Sequence, residues 1–583
     1  MSSLEGTRPN SAASGANKRQ SRSSSASRWA WAGGLAVAAV LLFICFLRFS
    51  GTFPANADGS DQALQAWDML HGNWLLHGWT IADVTYYTTE IPQYLIIETI
   101  RGLGPDVEHI AGASTYTLLV LAVGLLARGR STGRAGLIRM LVAAGILLAP
   151  QFGNATHLLL SQPDHLGTQL PLLLLLLLLD RAPRRWYIPA AAFIVLAWVT
   201  VADRVALFDA VAPFIIVCGG RALYAVVRHR KPLASQWYDL SLAVASILSY
   251  AAATLATRLI ADLHGYQILP LTEQRAPIQE IPQHIVLTLE GILNVYGADF
   301  FHLATGFSPN GPDLGSMPLA AGIALAVVHL VGFALAVWGF LRAFRYFFDP
   351  SELVSPVLAT GILINLAVYV FSVLPVTLFD TRETIAVLPF GAVLAGRMVP
   401  GTLARLPRRL KPTLACASVG VLACYLAALG YGVAQSPAAD PEQAIVPWLE
   451  AHHLTTGIGT YTEANLITVD SGGHVAIRTV SWSSRGDVPR SFEDDANWFD
   501  PQQNYANFIL TNTADNTVNR NGTIRRSSLI PLPAIAALHA GPPAHIYHYK
   551  AFTIMVWDHN LLADLGRHPS SSPGQIPCSD ECV

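Results

Sequence analysis

The chain has 583 residues, of which 52% are hydrophobic and only 13% are charged, and its formal net charge is −2. This composition is far more apolar than a soluble protein of that length requires, and it indicates a mainly α-helical, polytopic membrane protein. Nucleic acid is excluded as a partner, because binding to its phosphates requires Lys and Arg clustered on one face.

The N-terminal residues 1–28 are rich in Ser, Ala and Gly with scattered Lys and Arg, a composition that predicts a disordered basic cytoplasmic tail. The apolar run 29–47 is long enough to cross a bilayer core of roughly 30 Å and is predicted to be the first transmembrane helix. Ala55-Asn56-Ala57 has the form of a signal-peptide cleavage site. Because Arg48 intervenes and the site lies far past the apolar run, an uncleaved helix is favoured.

Further apolar runs bring the predicted number of membrane crossings to about eleven. These runs are 110–127, 135–150, 165–179, 186–202, 205–226, 236–259, 316–340, 355–377, 385–400 and 413–434. Every second loop between them is rich in Arg and Lys, whereas the intervening loops hold only the isolated Arg101, Arg204, Arg275 and Arg382. The positive-inside rule therefore predicts a plasma-membrane protein with a cytoplasmic N-terminus and an extracytoplasmic C-terminus.

From Gln435 onward the chain becomes polar. A helix is predicted over 441–453, followed by short alternating runs at 475–480, 505–512 and 545–558, the last of which has the pattern of a hairpin. We therefore expect a small extracytoplasmic α/β domain over 435–583, attached to a transmembrane module over 29–434. Cys578 and Cys582 near the chain end are close enough in sequence to form a disulfide in an oxidising compartment, and their pairing is left open.

The first outer loop, 49–109, combines acidic and aromatic residues. Its acids are Asp58, Asp61, Asp68, Asp83, Glu90 and Glu98, and its aromatic residues include Trp74, Trp79, Tyr86, Tyr87 and Tyr94. Ser60-Asp61 is predicted to begin an amphipathic helix on the membrane surface, so Asp61 either caps that helix or carries chemistry. Carboxylates and rings suit a sugar, although aromatic residues also form ordinary interfacial belts.

Several short elements resemble those of the GT-C superfamily of membrane glycosyltransferases. They are Gly59-Ser60-Asp61-Gln62, the Gly-Asn-x-Leu-Leu element at 72–76, Thr89-Glu90-Ile91-Pro92, Pro163-Asp164-His165, and Arg382 in FDTRETIAVLP. Within this superfamily, the elements resemble those of the protein O-mannosyltransferases and the aminoarabinose transferases of lipid A. The C-terminal region, with YTEAN at 461–465, resembles that of actinobacterial members. The chain departs from the family pattern at Gln62, where a second acid is usual, and at Ile91, where a lysine is usual.

The resemblance implies a GT-C-like helical bundle that moves a sugar from a polyprenyl-phosphate donor to a glycan, lipid or protein acceptor of the cell envelope, usually with inversion. Asp61 matches the general base that removes the acceptor proton. A guanidinium can hold the leaving phosphate, and Arg382 and Arg204 are the candidates because both fall at the outer ends of predicted helices. Asp58, Tyr87, Glu90, Asp164 and His165 are further candidates for substrate binding.

Simpler roles exist for both arginines. Arg204 has Asp203 and Asp209 nearby in sequence as ion-pair partners, or it extends toward the membrane interface, and Arg382 has Asp380 and Glu383. In the loop 260–315, aromatic residues such as Tyr266 either contact substrate or pack on the first loop, and packing is favoured.

No nucleotide-binding motif is present, so no nucleotide cofactor is expected. No motif has the spacing of a metal site, which leaves a divalent metal undecided. A multi-span transporter and a non-catalytic envelope protein that binds glycan are the alternatives. The first would need ionisable residues near mid-membrane, and the second would not need Asp61.

Overall fold

The computed structural model describes residues 12–150, 155, 157–269, 275–300, 319–403, 407–438, 440–483, 486–489, 493–512, 516–518, 524–526 and 540–565. The predicted disulfide pair Cys578 and Cys582 lies outside the described residues. The described helices, numbered in chain order, are α1 (Ala12–Ser50), α2 (Ala57–Leu70), α3 (Glu90–Arg101), α4 (Asp106–Arg128), α5 (Gly133–Leu147), α6 (His165–Arg181), α7 (Tyr187–Ala202), α8 (Ala212–His229), α9 (Trp237–Asp262), α10 (Ile281–Val295), α11 (Leu319–Ala343), α12 (Val354–Phe371), α13 (Val387–Leu403), α14 (Lys411–Ala434), α15 (Pro441–Ala451) and α16 (Tyr461–Asp470).

The described strands are short. They are β1 (Trp79–Ile81), β2 (Gln267–Ile268), β3 (Thr456–Gly459), β4 (Ala476–Ser483), β5 (Gly486–Pro489), β6 (Asp494–Asp495), β7 (Phe508–Asn512), β8 (Asn516–Val518), β9 (Ile524–Arg526), β10 (His545–Tyr549) and β11 (Phe552–Val556). The chain is therefore mainly helical with a smaller proportion of sheet.

Seven helical segments of the described chain are long and apolar enough to cross a membrane. They are Trp29–Ser50, Asp106–Arg128, Leu207–His229, Leu233–Asp262, Ala320–Tyr346, Val354–Phe371 and Pro412–Ala434. The other four predicted crossings correspond to the shorter helices α5, α6, α7 and α13, of 15, 17, 16 and 17 residues. The chain is thus a helical membrane protein, and the count of eleven crossings stays a prediction.

The first helix begins earlier than the sequence indicates. Residues 1–28 are predicted to be a disordered tail, but the backbone is helical from Ala12 onward and continues into the first apolar run. A helix that is already nucleated adds residues at little cost, and this part of the tail contains Ala, Arg and Gln, which are good helix formers.

The predicted surface helix of the first loop is corrected in two respects. Helix α2 begins at Ala57, because the side chain of Asn56 accepts a hydrogen bond from the backbone N–H of Asp58 and caps it. Most of α2 is buried, and it packs against α3, α4 and α16 rather than lying on a membrane surface. Small residues allow this close packing, since a Cβ at Gly59 would lie within 2.8 Å of Glu108 and Gln162 side-chain atoms.

The C-terminal region has a six-stranded sheet in the order β10-β11-β7-β3-β4-β5. Strands β3 and β4 are parallel neighbours joined through α16, and β10 and β11 form an antiparallel hairpin. Strands therefore occur in all three runs for which alternation predicts them, and the predicted helix over 441–453 corresponds to α15. Buried Ile445, Leu449, Phe508 and Ile554 form part of its core.

A second, three-stranded sheet attaches this region to the loops of the bundle. Strand β1 of the first loop pairs in parallel with β2 and antiparallel with β6 of the C-terminal region. We call this end of the bundle the domain-side end.

At the opposite end, Arg397 of α13 joins three segments. Its Nη2 lies 3.0 Å from Asp180 Oδ1 and 2.8 Å from Glu352 Oε2, and its Nη1 donates to the carbonyl oxygen of Leu126 at 2.9 Å. The guanidinium is buried. This cluster therefore ties α4, α6 and α13 together on the side that the sequence predicts to be cytoplasmic.

We expect Arg397→Met to destabilise the bundle by about 3–5 kcal/mol, because the change leaves two largely buried carboxylates without their cation. The measurement is the midpoint of thermal unfolding in detergent. Arg101→Gln is the matched control, since it removes an exposed ion pair with Asp106 and should cost about 1 kcal/mol or less. Equal midpoints for the two variants would contradict a stabilising role for Arg397.

Candidate functional site

Arg382 lies at the domain-side end of the bundle, in a helical turn (Phe379–Thr384) that leads into α13. Its guanidinium carbon lies 4.6 Å from the centroid of the Phe379 ring. Nη1 is 3.1 Å from Asp58 Oδ2, and Nε is 3.8 Å from Glu383 Oε1. A guanidinium has five N–H donors, and among the described residues Arg382 donates a hydrogen bond to Asp58 alone. The remaining N–H groups can donate to a bound anion.

Asp58 connects this arginine to the C-terminal region. It lies in the first turn of α2, and its Oδ1 accepts a hydrogen bond of 3.2 Å from the hydroxyl of Tyr461, the first residue of α16. Its side chain is 33% exposed, so a small molecule can reach it. Asn465, one turn further along α16, donates to the carbonyl oxygen of Ala57 at 3.5 Å. The site is therefore formed jointly by the bundle and the C-terminal region.

Asp164 and His165 lie beside Arg382 at the start of α6. Asp164 has a φ of +41°, a conformation that is uncommon for residues other than glycine, and its carboxylate accepts a hydrogen bond from the hydroxyl of Tyr86. Strained backbone of this kind concentrates at functional sites. The strain is consistent with a site at this position.

The imidazole of His165 is surrounded by three carboxylates. Its Nδ1 lies 2.8 Å from Asp203 Oδ2, and its Nε2 lies 3.4 Å from Glu383 Oε1 and 3.8 Å from Asp164 Oδ1. Both ring nitrogens therefore face acceptors, an arrangement that suits an imidazole with a proton on each nitrogen. We refer to Asp58, Asp164, His165, Arg382 and Glu383 as the Arg382 cluster.

The cations of the cluster keep two of its acids ionised. Burial alone would raise the pKa of Asp164, but His165 and Arg382 outweigh burial and lower it below its ordinary value. The pKa of Glu383 is lowered in the same way, with burial again outweighed by His165 and Arg382. Burial acts to lower the pKa of Arg382, yet Asp164 and Asp58 raise it overall. Asp164, Glu383 and Arg382 therefore stay charged at neutral pH.

Two acids of the first loop, Asp83 and Glu90, have raised pKa values, in contrast to Asp164 and Glu383. Burial, with a contribution from Glu383, raises the pKa of the partly exposed Asp83. Burial also raises the pKa of Glu90 well above its ordinary value. Glu90 begins α3 and is fully buried against Gly167, where an added Cβ would lie 2.2 Å from Glu90 Oε1. Glu90 is therefore enclosed beside α6, whereas Asp83 is partly accessible.

The structure also locates the other residues named from the sequence. Arg204 is exposed and acts electrostatically on Asp83. Tyr87 donates to the carbonyl oxygen of Trp74 at 2.7 Å, and its ring centroid lies 5.0 Å from that of Tyr266. The loop 260–315 therefore packs on the first loop through Tyr266, as favoured above.

Asp61 lies on the buried part of α2. Only 3% of its surface is exposed, and its Oδ2 accepts a hydrogen bond of 2.5 Å from Gln65 on the next turn of α2. It does not cap α2, because Asn56 does. Its assignment as general base stays a prediction.

Four residues of the site were not singled out as site residues from the sequence: Tyr86, Asp203, Glu383 and Tyr461. Asp203 and Glu383 are adjacent in sequence to Arg204 and Arg382, the two candidate arginines. In the structure both carboxylates contact His165, so their role is not limited to an ion pair with the neighbouring arginine. Tyr461 belongs to a different region of the chain, and the YTEAN element that it begins was assigned no role at the site.

The acids and histidines of the site do not form a metal-binding group in the described part of the chain. No set of three or more His, Cys, Asp and Glu among the described residues has an arrangement that could hold a metal ion.

Comparison with known proteins gives little further information. No protein-family model matches the chain, and none of the curated proteins matches it. Among solved structures, the chain is similar to the oligosaccharyltransferase of Archaeoglobus fulgidus, crystallised with Zn and sulfate. The two chains are 14% identical with a TM-score of 0.44, and the similarity covers 82% of this chain and 68% of the archaeal one.

Proposed function

We propose that this chain is a membrane glycosyltransferase that moves a sugar from a polyprenyl-phosphate donor to an acceptor on the extracytoplasmic face, with inversion at the anomeric carbon. The observation that carries the proposal is the Arg382 cluster. It joins an arginine that donates to a single acceptor among the described residues to a partly accessible carboxylate at the end of a membrane bundle, which is where a lipid-linked phosphate and a water-soluble acceptor can meet.

Arg382 is the proposed phosphate-binding residue. In the reaction the bond between the anomeric carbon and the phosphate oxygen breaks, and its electron pair passes to the phosphate, which gains negative charge. The Arg382 side chain is only 30% exposed, and a guanidinium that is partly shielded from water stabilises such a charge more strongly than a fully solvated one, because the surrounding dielectric constant is lower. The donor phosphate would replace Asp58 at Nη1 and thereby release the Asp58 carboxylate.

The released carboxylate has a role of its own. The acceptor hydroxyl forms the new bond to the anomeric carbon while its proton passes to a base within hydrogen-bond reach. Asp61 is the base that the sequence predicts. The contacts favour Asp58, because it is partly exposed, adjoins Arg382, and is oriented by the Tyr461 hydroxyl.

The remaining residues would hold the donor and the framework. His165, with its three carboxylates, fixes the positions of Asp164 and Glu383 relative to Arg382. Asp164 and Glu383 can accept hydrogen bonds from sugar hydroxyls, and we assign Glu90, Arg204 and Tyr87 to the supporting shell of the donor site.

Reconstitution into liposomes tests the proposal. Purified chain is mixed with liposomes that contain a radiolabelled polyprenyl-phosphate sugar, using mannose, glucose and arabinose donors in turn, together with an envelope fraction as the source of acceptor. We expect consumption of one donor and transfer of label to the fraction. Movement of labelled sugar across the membrane without donor consumption would indicate a transporter, and glycan binding without either activity would indicate a binding protein.

A further inference from the structure

Apart from the Arg382 cluster, a cavity lies between α2 and the C-terminal region, on the side of α2 that carries Leu64, Trp67, Asp68 and His71. It has a volume of about 210 Å³, and residues of the C-terminal region, among them Arg478 and Trp498, form the facing wall. We call it the interdomain pocket. Asp58, which contacts Arg382, lies ten residues before Asp68 on the same helix, a separation of roughly 15 Å at 1.5 Å per residue.

Arg478 of β4 has donors available in this pocket. Its guanidinium carbon lies 4.3 Å from the centroid of the Trp498 ring, and within the described chain it donates no hydrogen bond. Burial lowers the pKa of Arg478 to about 10, so the group is still charged at neutral pH. A half-buried cation without hydrogen-bond acceptors is costly, and a ligand that supplies acceptors would remove that cost.

Asp68 provides the complementary acceptor. Its Oδ2 accepts from the indole N–H of Trp79 at 2.8 Å and from the side-chain amide of Asn73 at 2.6 Å. Among the described residues, Oδ1 accepts no hydrogen bond. The pocket therefore offers a fixed acceptor and a fixed donor to the same ligand.

The charges around the pocket select the class of ligand. Arg478 is balanced by Asp68 and by Asp495, and burial raises the pKa of Asp495 to about 6. Trp79 and Asn73 hold the Asp68 carboxylate in place in the pocket, so an anion such as a phosphate or a carboxylate would lie against a fixed negative charge there. A neutral polyol suits it better, since each hydroxyl both donates and accepts.

The lining and the volume of the pocket further restrict the kind of ligand that it can bind. Aromatic rings of Trp67 and Trp498 line the cavity, and such rings provide apolar surface against which the C–H face of a sugar can pack. Pockets for drug-sized ligands measure roughly 300–1,000 Å³, so a cavity of about 210 Å³ suits a single sugar ring.

We propose that the interdomain pocket binds one neutral sugar unit of a glycan acceptor, away from the sugar unit that reacts at the Arg382 cluster. The role as acceptor site rests on the proposed function, whereas sugar binding itself does not depend on it. The acceptor is accordingly a glycan of at least several units rather than a single small alcohol.

Saturation-transfer NMR on the full chain in detergent tests this inference. The probes are methyl α-mannopyranoside, methyl α-glucopyranoside and methyl α-arabinofuranoside as neutral sugars, and methyl β-glucuronide as an anionic sugar. We expect transfer to the ring protons of at least one neutral probe. Arg478→Gln removes the donor, and Ala476→Leu fills the pocket while all its polar groups remain, so each should weaken binding at least tenfold.

The controls separate this proposal from the proposed function. Arg228→Gln, at an exposed arginine near the end of α8, should bind the probe like wild type, and thermal unfolding verifies that each variant is folded. Arg382→Gln should lose transfer and retain sugar binding. Binding of none of the neutral probes, preference for the glucuronide, or unchanged binding in both pocket variants would overturn the proposal. Sugar binding by a chain that transfers nothing would overturn only the proposed function.

Discussion

Arg382→Gln is expected to lower the rate of sugar transfer by about 10²–10³-fold, the usual effect of removing a group that stabilises developing charge. Glutamine retains a hydrogen-bond donor but lacks the positive charge that stabilises the negative charge on the leaving phosphate. The transfer rate of Arg382→Lys should fall between those of wild type and Arg382→Gln, because a lysine keeps the positive charge but cannot bind the phosphate in a bidentate manner. The measurement is the initial rate of label transfer from the donor that wild type consumes.

The control for this comparison is Arg101→Gln, which lies at an exposed ion pair with Asp106 and should transfer at the wild-type rate. A rate for Arg382→Gln within threefold of wild type, in a variant with the wild-type unfolding midpoint, would remove Arg382 from the proposed site.

Asp58→Asn is expected to lower kcat by about 10²–10⁴-fold, the range associated with loss of a general base. The substitution also removes the carboxylate that occupies Arg382, so KM for the donor should not rise. The measurements are kcat and KM for the donor.

Asp61→Asn is the matched variant on the same helix. Asparagine retains an oxygen that can accept from Gln65, so the contact at 2.5 Å persists and we expect less than about a tenfold change in kcat. If kcat falls strongly in Asp61→Asn but stays near the wild-type value in Asp58→Asn, the base is Asp61 and the assignment to Asp58 is wrong.

Much of this architecture can be inferred from local sequence. Apolar length predicts helical segments in the membrane, and alternation predicts the hairpin that β10 and β11 form. The residues Asp164, His165 and Arg382 were singled out from short motifs, and they lie within one cluster. Such features are readable because they depend on neighbouring residues, through a periodicity or a helix boundary.

Other features of the site cannot be read from the sequence in this way. Both Asp58 and Asp61 lie on α2, and only the packing of that helix determines which of them faces Arg382. The sequence favours a surface helix there, but small residues at positions such as Gly59 allow burial against α4. That burial encloses Asp61 and leaves Asp58 partly exposed.

The sequence by itself determined a helical membrane protein with a polar α/β region at its C-terminus, and it indicated which loops carry the acids. Only the tertiary structure decided which of those acids meet a cation, and that Tyr461 joins them. The reason is physical: Asp58 meets Arg382 across 324 positions of sequence and Tyr461 across 403. Contacts at such separations depend on how helices pack, and packing is set by the shape of whole surfaces rather than by any local pattern of residues.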